Sequence, residues 1–85
     1  MEKSIVATGY HLLRLCLKTT RQEKGLSQKD LAVRLGETQS FVSRVERGER
    51  RVDAIELRQY CAALGVSFID FVQELDAEIQ KTRHH

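Results

Sequence analysis

Proline is absent from this chain of 85 residues. Strand-like alternation, internal repeats and low-complexity segments are also missing, which leaves helix as the pattern to look for. No apolar run approaches the ~20 residues that a membrane-spanning helix needs. Near the start, Lys3 is followed by Ile5, Val6 and Ala7, but then by Gly9, Tyr10 and His11. That is not a secretory leader, and a cytoplasmic protein is expected. Cysteine occurs twice, at Cys16 and Cys61, with no Cys-x-x-Cys pair and no Cys/His cluster. A zinc site is therefore not expected, and each thiol sits in an apolar helical context where it serves as a small hydrophobe. Of the three histidines, His84 and His85 close the chain in the manner of a tag and are set aside. No nucleophile–base pair, phosphate loop or metal cluster is visible, so an enzyme is the least favoured class. No cofactor, metal or small-molecule ligand is expected.

The residues that are present describe one small domain spanning 1–85. Hydrophobic residues make up 41% and charged residues 31%, as in soluble globular chains. A domain of this size buries only ~60–65% of its unfolded surface, so local helical contacts or a second subunit would help it. The net charge of +2 is unevenly spread. Residues 21–51 carry eight basic and five acidic groups, whereas residues 67–85 carry two and four. Such asymmetry suits a protein that meets a polyanion on one side.

Five helices are predicted, making the fold all-α. Helix one is expected at about 5–24, with Ser4 as its N-cap, Gly25 as its stop and a stripe at Ile5, Gly9, Leu12, Cys16 and Thr20, flanked by Val6, Leu13 and Leu17. Gly9 costs this helix up to ~1 kcal/mol, so its first turns are expected to fray. Ser27 and Asp30 form a capping box for helix two, 28–35, whose inner face is Leu31, Ala32 and Leu35. Gly36 ends it, and Thr38 caps helix three, 39–47, almost at once. Two helices joined so tightly cannot fold back antiparallel and must cross steeply, as in a helix-turn-helix. On helix three, Val42, Val45 and Glu46 fall on one side, with Ser40, Ser43, Arg44 and Arg47 opposite and Gln39 at the tip. The outer set carries the amides, hydroxyls and guanidinium groups that pair with base edges and phosphates. Phe41, on the flank, either packs against helix two or meets a thymine methyl. Asp53 and Glu56 cap helix four, 54–64, with Leu57, Tyr60, Cys61 and Leu64 inward, and Ser67 with Asp70 opens helix five, 68–80.

The fingerprint GLSQ-x-x-LA-x-x-LG, TQS-x-V-S-x-x-E-x-G and ALGVS, between Gly25 and Ser67, closely resembles the Cro/cI-type (XRE) helix-turn-helix family. That family includes the lambdoid phage repressors. With its flanks from about Arg21 to Phe71, the match covers roughly two-thirds of the chain. The resemblance implies a sequence-specific regulator of transcription that binds double-stranded DNA. It implies base reading by Gln39, Ser40 and Arg44, and contacts to the phosphate backbone by Gln28, Ser43, Arg47, Arg50 and Arg51. Gln28 would also brace Gln39, and Arg21 would pair with Glu46 beneath the recognition helix. Departures from the family pattern are Glu37 in the turn, Thr20 where leucine is common, Val52 for a common proline, and Ile69 where a polar residue is usual.

Ile69 belongs to a helix whose apolar residues, Phe68, Ile69, Phe71, Val72, Leu75 and Ile79, spread over an arc wider than the ~100° needed to face one core. Phe68 and Phe71 are expected in the core, and Ile69, Val72 and Ile79 at a homodimer interface. Twofold symmetry would then double the base contacts on an inverted-repeat operator. Phage or plasmid repressor, restriction-modification controller and antitoxin all remain open. A module that keeps the fold for protein interaction without reading DNA is the alternative, and the Gln28, Gln39, Ser40 and Arg44 set argues against it.

Overall fold

The computed structural model describes residues 5–83. It contains helices α1 (Ile5–Glu23), α2 (Gln28–Leu35), α3 (Gln39–Glu46), α4 (Ala54–Leu64) and α5 (Phe68–Arg83), and among the described residues no strand. Ser4, His84 and His85 lie outside the described residues. The third helix ends one residue earlier than its sequence pattern indicates, and the fifth runs three residues further.

Local chemistry sets the boundaries. The Ser27 hydroxyl accepts from the Asp30 amide, and the Asp30 carboxylate accepts from the Ser27 amide, each at 3.0 Å. This reciprocal pair satisfies two amides that the start of α2 would otherwise leave open. Gly36 ends the helix at φ 70°, ψ 30°. There the Glu37 amide reaches back to the Ala32 carbonyl at 2.9 Å and the Gly36 amide to Val33 at 3.2 Å. This pattern needs a left-handed residue, which glycine adopts without steric cost. Asp53 and Glu56 form a second capping box at α4.

Leu17, Leu31, Val42, Tyr60, Cys61 and Leu64 are fully buried, joined by Ala32, Val45, Val52, Leu57 and Phe71. Every helix therefore sends side chains into one core, apolar burial being the main force that assembles it. Val52, in place of a common proline, contributes to that core. Phe68, Leu35 and Phe41 pack partly buried at its edge. Burial pushes the Cys61 thiol up to about 11 and raises that of Cys16, which keeps both protonated and unreactive.

The α1 helix packs on two sides, and both belong to its sequence pattern. Leu12, Cys16 and Thr20 line a groove against Phe71, Glu74, Ala77 and Glu78 of α5. Leu13 and Leu17 instead face Val45 and Val52, and Leu17 and Arg21 are the buried residues of this helix. Ile5, at the end of the stripe that faces α5, is 50% exposed. Gly9 lies inside a continuous helix, where an added Cβ would stand 3.7 Å from Ile79 Cδ1, an ordinary van der Waals contact. The same contact turns half-buried Ile79 onto its own chain, leaving Ile69 (62% exposed) and Val72 (38%) as the outward apolar residues of α5.

Candidate nucleic-acid interface

The turn at Gly36 and the cap at Thr38, whose hydroxyl accepts from the Phe41 amide at 3.1 Å, aim α3 away from α2. One side of α3 is pinned by burial of Val42, Val45 and Glu46. A carboxylate in that position requires partners, because a buried unpaired charge is costly. Arg21 supplies a bidentate pair, Nε to Oε2 at 2.6 Å and Nη2 to Oε1 at 3.0 Å, with side-chain exposures of 10% and 3%. Arg21 Nη1 also donates to the Leu26 carbonyl at 2.7 Å. Gln28 Nε2 donates to Glu46 Oε1 at 3.0 Å. One carboxylate thus ties α1, α2 and α3 together, and the hydrogen bond to Glu46 raises the Arg21 pKa. Gln28 braces α3 through Glu46, and among the described residues it makes no hydrogen bond to Gln39.

The opposite side of α3 differs. Gln39, Ser40 and Arg44 are exposed, and among the described residues their side chains make no hydrogen bond or ion pair. They form an amide, hydroxyl and guanidinium surface standing on a fixed helix. An amide that donates and accepts matches an adenine edge, and a guanidinium fork matches guanine or phosphate.

The flanking residues are engaged within the chain. Arg47 donates to the Glu49 carboxylate at 3.0 and 3.1 Å and to the Ser43 hydroxyl. Both partners are more than half exposed, so this pair holds weakly and can exchange for another anion. Arg50 is held more firmly. Its two terminal nitrogens donate to the two Glu56 oxygens at 2.8 and 2.7 Å, and its guanidinium lies 5.0 Å from the Phe41 ring centroid. Glu56 was read from the sequence only as a cap. It holds Arg50 and the Asp53 amide together, which pulls its carboxyl down to about 2. Phe41 packs at the edge of the core rather than standing free. Arg51 is exposed, and its guanidinium stacks 4.1 Å over the Tyr10 ring.

Sequence reasoning missed Arg14. Its Nη1 donates to the Glu46 carbonyl at 3.1 Å, at the end of α3 where open carbonyls attract cations, and its Nη2 donates to His11 Nδ1 at 3.0 Å. The available signal was its spacing of seven from Arg21, two helical turns along the face that meets α3.

Comparison with known proteins agrees with this geometry. Residues 17–71 match the family model described as Helix-turn-helix. The chain is 41% identical over 56 residues to y4dJ of Sinorhizobium fredii, named as an uncharacterised HTH-type transcriptional regulator, covering 66% of this chain and 73% of that protein. An XRE-family like protein from Pseudomonas syringae pv. tomato superposes with a TM-score of 0.83 at 39% identity, over 87% of this chain and 90% of the other. The restriction-modification controller protein C.Esp1396I, solved as a tetramer on its natural 35 base-pair operator, superposes with a TM-score of 0.78 at 28% identity, over 93% and 99%. The chain belongs to the XRE-type helix-turn-helix family of transcriptional regulators.

Proposed function

We propose that two copies of this protein bind an inverted-repeat operator in double-stranded DNA, each setting α3 into the major groove of one half-site. The observation that carries this reading is the division of α3. Val42, Val45 and Glu46 are buried and fixed, while Gln39, Ser40 and Arg44 stand exposed with no partner among the described residues. In this account Gln39, Ser40 and Arg44 read base edges. Gln28, Ser43, Arg47 and Arg51 set register on the phosphates, and Arg50 orders the loop before it adds any backbone contact of its own. The activity assigned is binding, not turnover, and it operates on cytoplasmic DNA.

Dimerisation is supported by the outward apolar pair Ile69 and Val72 on α5. The C.Esp1396I controller, matched over 99% of its chain and solved as a tetramer on its operator, supports an operator-bound assembly of more than one copy. Selection of bound sequences from random duplex DNA tests the proposal. An enriched inverted repeat with half-site centres one helical turn apart, ~10–10.5 bp, is expected. Recovery of no preferred sequence would favour the protein-interaction alternative.

A further inference from the structure

We infer that α1 adds a phosphate seat to the DNA interface. In it Tyr10, His11 and Arg14 join Arg51 of the loop after α3 to hold one backbone phosphate beside the base-reading face. The inference rests on the DNA-binding reading above and adds to it a part of the chain that lies outside the helix-turn-helix. A cleft of about 230 Å³ separates α1 from that loop; its polar lining is Tyr10, His11, Arg14, Arg51 and the Glu56-paired Arg50, beside Gly48 and apolar residues of the core edge.

The charges in this cleft are unbalanced in a specific way. Around α3, Arg21 is paired with Glu46, Arg47 with Glu49 and Arg50 with Glu56. Arg14 and Arg51 have no carboxylate partner among the described residues. Neutral groups hold them instead: Arg14 is held by a backbone carbonyl and an imidazole nitrogen, and Arg51 by an aromatic face. Two cations brought to one cleft without an anion repel each other, and an anion from outside the chain relieves that repulsion. Guanidinium forks suit the oxygens of a phosphate. By accepting from Arg14 at Nδ1, a neutral His11 ring carries its proton on Nε2, which supplies one more donor.

The position of the cleft argues for the DNA backbone as the source of that phosphate. Arg14 reaches the last turn of α3, and a Cβ on Gly48 would lie 2.9 Å from Arg14 Nε. The turn that leaves the recognition helix is therefore pressed against this guanidinium. Side chains at that end of a groove-bound helix face the phosphates that fix register.

The test is the salt dependence of binding by the full chain, on the selected operator and on a scrambled duplex, for the wild type, Arg14→Gln, Arg51→Gln, Arg14→Lys and the double Arg14→Gln/Arg51→Gln. Each Gln variant should lower the slope of log K against log salt by about 0.9, the value of one phosphate. The double should lose no more than a single variant, because one phosphate is shared. The loss should be equal on both duplexes, and Arg14→Lys should keep the slope. Arg14→Gln also removes a contact at the end of α3, so Arg51→Gln, whose ring contact is at the surface, carries the test if the first variant unfolds. An unchanged slope overturns the seat. So does a double variant that loses two phosphates, or saturable inorganic phosphate binding at the Tyr10 and His11 resonances with an unchanged DNA slope, which would assign the cleft to a free phosphate. A wild type that binds both duplexes equally defeats the proposed operator reading but leaves the seat measurable on either.

Discussion

At the scale of single residues, Glu46 and Gln39 represent the two sides of α3. Glu46 is buried with Arg21 and Gln28, so removing its carboxylate strands the Arg21 guanidinium. Glu46→Ala should destabilise the fold by ~3–5 kcal/mol, read by denaturant unfolding, because one half of a buried pair is lost. Gln39→Ala removes a side chain bonded to nothing in the described chain. It should leave stability unchanged and cost ~1–3 kcal/mol of operator binding, confined to one base pair. A uniform loss across sequences would make Gln39 a backbone contact instead. Glu56 offers a pH test. Arg50 and the Asp53 amide stabilise its charged form, holding its pKa at about 2 against 4.5 for an unperturbed group. The folded chain then binds this proton less readily than the unfolded one. Its contribution is complete above about 4.5 and is lost as pH falls toward about 2. Glu56→Gln should flatten stability over that window, and a wild type and variant with parallel acid profiles would show the pair to be ineffective.

Elements are fixed by short-range chemistry, and this is what made them readable. The Ser27–Asp30 and Asp53–Glu56 boxes, and the left-handed Gly36, depend on residues three or four apart, so the sequence places them directly. The pairing of Arg21 with Glu46 spans 25 residues and was legible only through family resemblance. Arg51 on Tyr10 and Ile79 against Gly9 had no local signal, and Arg14 on the Glu46 carbonyl had only its spacing from Arg21, since each depends on how α1 docks against elements far along the chain. That docking also explains why α1 shows two stripes: it lies between α3 and α5 and must satisfy both. The phosphate role of Arg50 came from the family resemblance, which carried no sign of its bond to Glu56, six residues away. The turn itself gives an element-scale prediction. Gly36 has φ 70° and nothing within 4 Å of an added Cβ, so Gly36→Ala would meet no clash and only backbone strain. A cost of ~1–2 kcal/mol is expected by thermal unfolding. A neutral result would mean that the turn does not hold α2 and α3 in this conformation.

At the scale of the whole molecule, the proposed reading surface and the proposed pairing surface are separate. The α3 face is polar and its tip is exposed, while the outward residues of α5, Ile69 and Val72, are apolar and leave core burial to Phe71. Ile69→Asp should give a folded monomer with weaker operator binding, read by sedimentation and titration. A wild type already monomeric at tens of micromolar, roughly the range of small weak interfaces, would remove α5 from the account. The central claim joins both surfaces: two copies of α3 are presented one helical turn apart. It is tested most directly by titrating the wild type onto its selected inverted repeat, then onto the same half-sites moved apart by about 5 bp, half a turn. The account predicts tight binding to the first and a fall toward random-duplex affinity on the second. Equal affinity for both spacings would contradict it.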